Sequence, residues 1–290
     1  MKNKWLTFPY ILWIIIFTVI PIFIVIYYAS TIVDENGLRL SFANFAAVFD
    51  RQAVKMIWLS IRTAAVTTVV CFVLGYPAAY IMSSSSFKKR NVLIFLFVAP
   101  MWMNTLLRTY AWISLFETNG AFNNALGYIS DIINKISGSG VNLHVDISYT
   151  VQLIYVGMVY NFITFMILPI YTVLIKIDQS LVESAQDLGA NPIRVFLKVK
   201  LPLSIPGIIS GVTMVFMPAV TTFVITDMLG GGKFMMIGNQ IESYFLRYGN
   251  WRLGSSLSIV LMIIVLISIS ILSAVDKNKE KDARESGALF

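Results

Sequence analysis

The sequence has 290 residues, of which 57% are hydrophobic and only 13% charged, and its mean hydropathy is +0.76. Soluble domains are about 45–50% apolar and about 25% charged, so this composition excludes a pair of soluble domains and indicates lipid as the solvent. The net charge of +7 does not indicate nucleic-acid binding, because the basic residues stand in short clusters between apolar runs.

Six segments are predicted to cross the membrane, because a helix needs roughly 20 apolar residues to span the hydrocarbon core. The first follows Lys2 and Lys4 and is too long for the apolar part of a secretory signal, so we expect a retained anchor. The predicted fold class is therefore all-α, a polytopic membrane protein forming one transmembrane domain over residues 1–290. In chain order the predicted spans are residues 8–31, 55–82, 92–116, 148–175, 203–229 and 255–275.

The distribution of Lys and Arg predicts that both termini are cytoplasmic. With that orientation thirteen of the 22 basic residues are cytoplasmic and seven are outside, while Arg62 and Arg108 fall within spans. The cluster Lys88-Lys89-Arg90 is the clearest single indication. Prolines inside the spans are expected to kink their helices, since each removes a backbone donor; these are Pro21, Pro77, Pro100, Pro169 and Pro218.

Several common kinds of site are excluded or unsupported. The single cysteine, Cys71, rules out an internal disulfide and a multi-cysteine metal site, and the single histidine, His144, lies in a polar loop. Gly230-Gly231-Gly232-Lys233 is not a phosphate loop, because Asp227 stands where the first glycine is required and Phe234 replaces Ser or Thr. We expect no enzymatic activity, no metal and no ATP site in this chain.

The loop between the fourth and fifth predicted spans is the most informative part of the sequence. It should form a short helix over about residues 179–188, with Leu181, Ala185 and Leu188 on one face. Gly189 is placed to end that helix in the left-handed conformation, and Pro192 discourages its continuation. On periodicity alone such a helix either docks in a partner's groove or lies on the membrane surface.

The same loop resembles the EAA signature of ABC importer permeases: Glu-Ala-Ala, three residues, Gly, nine residues, Ile, any residue, Leu-Pro. The matching residues keep this spacing throughout, with Ser184 and Val199 as mild departures: Glu183, Ser184, Ala185, Gly189, Val199, Leu201 and Pro202. The resemblance implies that the loop, about residues 176–202, docks on an ATP-hydrolysing subunit. Glu183, Ala185 and Gly189 would carry that contact.

Further motifs resemble permeases of spermidine/putrescine importers, and the similarity extends over nearly the whole chain. They are Leu74-Gly75-Tyr76-Pro77, Pro100–Asn104 with Leu107-Arg108, Asp227–Gly231 and Ile237-Gly238-Asn239. The resemblance implies a second permease chain, a dimer of ATP-binding subunits that hold ATP and Mg²⁺, and an extracytoplasmic polyamine-binding protein. It places the chain in a bacterial inner membrane.

A polycation crossing an apolar bundle needs carboxylates or aromatic faces. Asp227, near the outer end of the fifth span, is the best acidic candidate, because ionisable residues in membranes usually face an interior. Glu117 lies further out. Trp102, Tyr110 and Tyr160 are candidate aromatic faces, although an interfacial belt or simple packing explains each equally well.

Two alternatives to a polyamine permease remain open from the sequence. The first is a permease of the same superfamily with another substrate, such as an oxyanion or a sugar. The second is a secondary transporter that works without ATP, which would require interrupted helices paired between two repeats, and no such pairing is visible. Gly207 and Gly211, a pair of small residues four apart, are expected to allow a close helix contact within the chain.

Overall fold

The computed structural model describes residues 8–34, 37–138, 140, 143–145 and 147–287. Lys2 and Lys4, two of the basic residues assigned to the cytoplasmic side, lie outside these ranges. In chain order the elements are α1 (Phe8–Ala29), β1 (Thr31–Asp34), β2 (Gly37–Leu40), α2 (Ala43–Val48), α3 (Arg51–Ser84), α4 (Phe87–Val98), α5 (Thr105–Phe116), α6 (Ala121–Ser137), α7 (Val151–Leu174), α8 (Gln179–Asp187), α9 (Pro192–Leu203), α10 (Ile205–Thr221), α11 (Val224–Gly230), α12 (Ile237–Glu242) and α13 (Trp251–Gly287).

The prediction of an all-α membrane protein is confirmed. Within the described residues, α1, α3, α7 and the Trp251–Leu272 part of α13 are each long and apolar enough to cross a bilayer. Two bent helix pairs also qualify if each is taken as one span, which brings the number to six. Large apolar side chains such as Phe17, Val69 and Ile267 are exposed along these helices, as lipid contact requires.

The third and fifth predicted spans are interrupted, and the kink expected at Pro100 lies beside the break in the third. A 98° bend separates Lys89–Trp102 from the helix that begins at Thr105. Pro100 lacks a backbone donor, and Asn104 then starts α5 by accepting a hydrogen bond from the Leu106 backbone N–H over 2.8 Å. In the fifth span, an extended Thr222 separates α10 from α11.

Two elements outside the spans were not predicted. The first is α6, a 17-residue amphipathic helix with exposed Tyr128, Ile132 and Ile136. Strands β1 and β2 form an antiparallel hairpin in which Thr31 is paired with Leu40 and Ile32 with Arg39. Short apolar runs do not distinguish strand from helix by periodicity alone, which explains the second omission.

The chain groups into two compact units, so the prediction of a single domain stays a prediction. The first unit combines residues up to Leu59 with Met236–Ser268. In it the buried Asn44 side chain donates hydrogen bonds to the carbonyls of Ala29 and Thr31, over 3.1 and 2.8 Å, and so fixes the end of α1 against α2. This satisfies carbonyls that the end of a helix leaves unpaired.

The second unit comprises Ser60–Met235 and Ile269–Phe290, and α7 is its central helix. Leu153, Met158, Met166 and Ile170 on α7 are fully buried, and α5, α10 and α11 pack against it. The predicted close contact of α10 is confirmed: a Cβ on Gly207 would lie 2.9 Å from the Pro169 carbonyl oxygen. Only glycine permits this approach of the two backbones.

Candidate functional site

Helix α8 forms where the sequence predicts it, and its first turn is capped. Asp178 accepts a hydrogen bond from the Ser180 backbone N–H over 3.0 Å. That hydrogen bond lowers the pKa of the Asp178 carboxyl, with a further contribution from the Ser180 hydroxyl. Because the charged form is the better cap, α8 keeps this contribution above the ordinary Asp pKa and loses it as pH falls through the lowered value.

The other end of α8 is fixed by a glycine turn, as predicted. Gly189 has φ +81°, its N–H donates to the Gln186 carbonyl over 2.8 Å, and the Ala190 N–H donates to the Ala185 carbonyl over 3.0 Å. This pair of hydrogen bonds is the Schellman arrangement, which requires a left-handed residue after the helix. Asn191 then caps α9 by accepting from the Arg194 N–H over 2.8 Å. The direction of α8 relative to α9 is therefore set by the backbone.

The loop buries one apolar face and exposes another. Val182 and Val195 are 5% and 3% exposed and hold α8 and α9 against the second unit. The exposed side chains form what we term the docking ridge: Leu181, Leu188, Ile193 and Leu197, which are 49 to 89% exposed. Glu183 and Ser184 are also exposed, and Ala185 is half-buried. Apolar side chains clustered on a polar surface in this way mark an interaction site.

The second half of the loop is joined to α3 by an aromatic cluster that sequence reasoning missed. The Phe196 ring stands edge-on to Tyr76 and Tyr80, with centroids 5.7 and 5.6 Å apart. The Lys200 ammonium lies 4.8 Å from the centre of the Tyr80 ring. Such ring pairs contribute about 0.5–1.5 kcal/mol each beyond their burial. Tyr76 and Tyr80, four residues apart on one helix face, were the available signal.

Ser204 marks the joint between the loop and the membrane helix that follows. The Tyr76 and Ser204 hydroxyls are hydrogen-bonded over 2.9 Å, and both residues are buried. The axes of α9 and α10 differ by 62° at this residue. Leu201 is half-buried and Pro202 is exposed in the last turn of α9, immediately before the bend. The Leu-Pro end of the motif therefore lies where the loop changes direction into α10.

Asp227, the acidic candidate for the pathway, lies half-buried on α11. Its backbone carbonyl accepts hydrogen bonds from Gly231 and Gly232, both of which have positive φ. Among the residues that the structure describes, nothing forms an ion pair or hydrogen bond with its carboxylate. A half-buried carboxylate without a protein partner is available to an ammonium group.

The aromatic candidates do not form one group. Tyr160 contacts the edge of Trp112, with centroids 5.1 Å apart, and the Arg108 guanidinium lies 5.9 Å from the centre of its ring. Trp102 is 77% exposed and contacts Phe95 instead. Tyr110 and Glu117 are exposed, and no described aromatic ring contacts Tyr110. Their role as a substrate path stays a prediction.

Arg108 has a partner that the sequence did not reveal. It is 8% exposed, and one of its terminal nitrogens donates to the Pro100 carbonyl over 2.8 Å while the other lies 3.3 Å from the Thr105 hydroxyl. The guanidinium therefore braces the inside of the 98° bend between α4 and α5. Its Nε is buried without a partner in the described structure.

Across the described residues, no cluster of His, Cys, Asp and Glu could hold a metal ion.

Comparison with known proteins agrees with this geometry. Residues 72–277 match the family model described as a binding-protein-dependent transport system inner membrane component. The chain belongs to this family of transport permeases, so it is a multi-pass membrane protein and a transport component.

Individual relatives extend the match over most of the chain. The spermidine/putrescine transport system permease protein PotB of Haemophilus influenzae is 34% identical over 262 residues, which cover 89% of this chain and 88% of the relative. PotB of Escherichia coli is 32% identical over 87% of this chain and 90% of the relative. The inner membrane ABC transporter permease protein YdcU of Escherichia coli is 26% identical over 80% of this chain and 75% of the relative.

Solved structures show the same fold. A chain of a bacterial ABC transporter involved in the import of the acidic polysaccharide alginate superimposes with a TM-score of 0.75 and 14% identity, over 96% of both chains. A chain of the MetNI methionine ABC transporter gives a TM-score of 0.56 and 15% identity, over 78% of this chain and 95% of that one. This chain therefore shares its fold with these transporter chains.

Proposed function

We propose that this chain is a pathway-forming permease subunit of an ATP-driven importer of polyamines such as spermidine and putrescine. The observation that carries the proposal is helix α8: it has the spacing of the EAA signature, is capped at both ends, and exposes both Glu183 and the docking ridge. The PotB relatives support the polyamine substrate, since their identity extends over almost all of this chain.

In this proposal the docking ridge lies in a groove of an ATP-binding subunit, and Glu183 sets the register of the contact. ATP and Mg²⁺ are held by a dimer of those subunits, and this chain holds neither. A second permease completes the pathway, and an extracytoplasmic binding protein delivers the polyamine. Both termini and the loop 176–202 are cytoplasmic, and the membrane is the bacterial inner membrane.

Coupling follows from how the loop is attached. A displacement of α8 moves α9 through the Gly189 turn, and α9 in turn moves two membrane helices. One route is the Ser204 joint with α10, and the other is the contact of Phe196 with Tyr76 and Tyr80 on α3. Packed helices of this kind have discrete arrangements, so nucleotide-driven closure selects between inward- and outward-open states.

The first test is purification with partners, followed by transport. The tagged chain is extracted in mild detergent from its host, and the co-purifying proteins are identified by mass spectrometry. We expect an ATP-binding subunit and a second permease. The complex is then placed in liposomes with the binding protein, and ATP-dependent uptake of labelled spermidine is measured. A chain that purifies alone in several detergents, or uptake that proceeds without ATP, contradicts the proposal.

A pair of variants separates the docking contact from general charge effects. Glu183→Ala should abolish uptake and release the ATP-binding subunit, because the register contact is removed. Asp187→Ala removes a carboxylate from the same exposed helix but lies outside the signature, and it should retain most uptake. Both variants should insert into the membrane in normal amounts. Equal uptake by the two would remove the assigned role of Glu183.

A further inference from the structure

A polar cavity of about 440 Å³ lies beneath the loop, among five helices of the second unit. Its wall is formed by Ser83 and Ser84 at the end of α3, Arg90 in the first turn of α4, the last residues of α7, Gln179 at the start of α8, and Lys200 on α9. No Asp or Glu belongs to this lining of described residues. The cavity therefore joins the α3–α4 hairpin to the loop through basic and neutral polar groups.

The donors in this cavity come from separate parts of the chain. Lys200 is half-buried and is held over the Tyr80 ring, with its ammonium 3.5 Å from the Tyr80 hydroxyl. Arg90 is half-buried, and its guanidinium belongs to the lining. Ser84 adds a hydroxyl and Gln179 an amide. Two cations, a hydroxyl and an amide facing one cavity favour an anionic ligand with several oxygens.

The position of the cavity favours a lipid as the source of that anion. It lies where α3 ends at Ser84 and α7 ends at Leu174, and both helices are long and apolar enough to cross a bilayer. Leu174, Ile175 and Ile177 supply an apolar part of the lining. Basic pockets between membrane helices on the cytoplasmic side bind the head groups of acidic lipids. An apolar wall beside a basic one suits a phospholipid better than a free phosphate ion.

We propose that this cavity binds the phosphate of an anionic phospholipid, which connects Arg90 on α4 to Lys200 and Gln179 in the loop. The bound head group then holds the base of α8 and α9 against the α3–α4 hairpin. The lipid is thus a structural part of the coupling loop, and the surrounding membrane sets how firmly the loop is held. The proposal concerns binding to this chain and does not depend on which substrate is transported.

The test compares two charge-matched double variants of the purified transport complex. R90Q/K200Q removes both cations of the cavity, and K89Q/K198Q removes two exposed cations from the same two segments outside the lining. Binding of phosphatidylglycerol is measured in nanodiscs of phosphatidylcholine with increasing phosphatidylglycerol, by mass spectrometry of the lipid retained. Each cation near a membrane surface contributes about fivefold to the binding of an anionic lipid. R90Q/K200Q should therefore weaken retention about 25-fold, whereas K89Q/K198Q, which leaves the cavity lining intact, should weaken it less.

Two further measurements separate the possible outcomes. R90K/K200R keeps both charges and should retain the lipid, which shows that a loss in R90Q/K200Q does not come from misfolding. Competition with inorganic phosphate distinguishes the two sources of the anion, at 10 mM, which is on the order of the affinity of a weak anion site. If phosphate does not displace the phosphatidylglycerol, the site binds a lipid. If phosphate displaces it fully, the lipid proposal is overturned in favour of free phosphate. Equal retention by both double variants overturns the cavity site. If R90Q/K200Q loses the ATP-binding subunit but retains the lipid, these two residues contact that subunit and the lipid site is overturned.

Discussion

Replacing Gly189 tests the proposed coupling loop with the least disturbance to packing. The residue has φ +81°, and a Cβ built there meets nothing within 4 Å. A substitution therefore changes the backbone preference and introduces no clash. An L-residue in the left-handed region costs about 1–2 kcal/mol, and a β-branched residue costs more. Asn tolerates this conformation and is a natural alternative at the end of a helix.

The expected order of uptake follows from these preferences. Gly189→Asn should remain close to wild type, while Gly189→Ala should reduce the population of the native turn by about five- to thirtyfold. Gly189→Val should abolish coupled transport. When the Schellman hydrogen bonds of Gly189 and Ala190 are lost, α8 no longer keeps its direction relative to α9.

The assay uses the complete complex in proteoliposomes and measures polyamine uptake and ATP hydrolysis together. The amount of inserted chain is measured alongside, and it should be equal for all variants because the turn lies outside the membrane spans. If Gly189→Val transports normally, the turn does not couple. If Gly189→Asn fails as completely as Gly189→Val, side-chain bulk at the docking surface is responsible, and the backbone argument is refuted.

Three other substitutions test separate parts of the second unit. Asp227→Asn should weaken spermidine uptake severalfold with normal assembly, and an unchanged apparent KM would make this residue structural. Gly211→Val should destabilise the chain by about 1–3 kcal/mol through overpacking, which would lower its melting temperature in detergent. The control Gly127→Ala places a Cβ in open space and should leave the melting temperature unchanged. Arg108→Met should lower the melting temperature because the Pro100 carbonyl loses a charged hydrogen bond of about 1.5–3 kcal/mol; an unchanged melting temperature would show that this brace is dispensable.

Local rules account for the parts that the sequence predicted well. The long apolar runs gave the positions of α1, α3, α7 and the Trp251–Leu272 part of α13 to within a few residues, because the length of a membrane helix is set by the bilayer. Helix α8 was also predicted, since its cap, its face and its terminal glycine are all encoded within about twelve residues of sequence. The EAA spacing then identified the family.

The missed features depend on contacts between distant residues or on competing local preferences. The bend at Asn104 could be suspected from Pro100, but the guanidinium of Arg108 that braces it comes from the following helix. The cluster of Phe196 with Tyr76 and Tyr80 joins residues more than 110 positions apart along the chain, so no window of sequence contains it. A polyamine path cannot be assigned from Asp227 alone, because a second chain is expected to contribute to it.

Met166 on α7 packs against two other helices of the second unit, α3 and α10. Its side chain is fully buried and lies against one glycine of each helix. A Cβ on Gly75 of α3 would lie 3.1 Å from the Met166 Cγ, and a Cβ on Gly211 of α10 would lie 2.8 Å from its sulfur. A methionine side chain has three rotatable bonds and adapts to irregular spaces. If α3 and α10 shift against α7 during transport, a change in the Met166 side-chain torsions would keep it in contact with both helices.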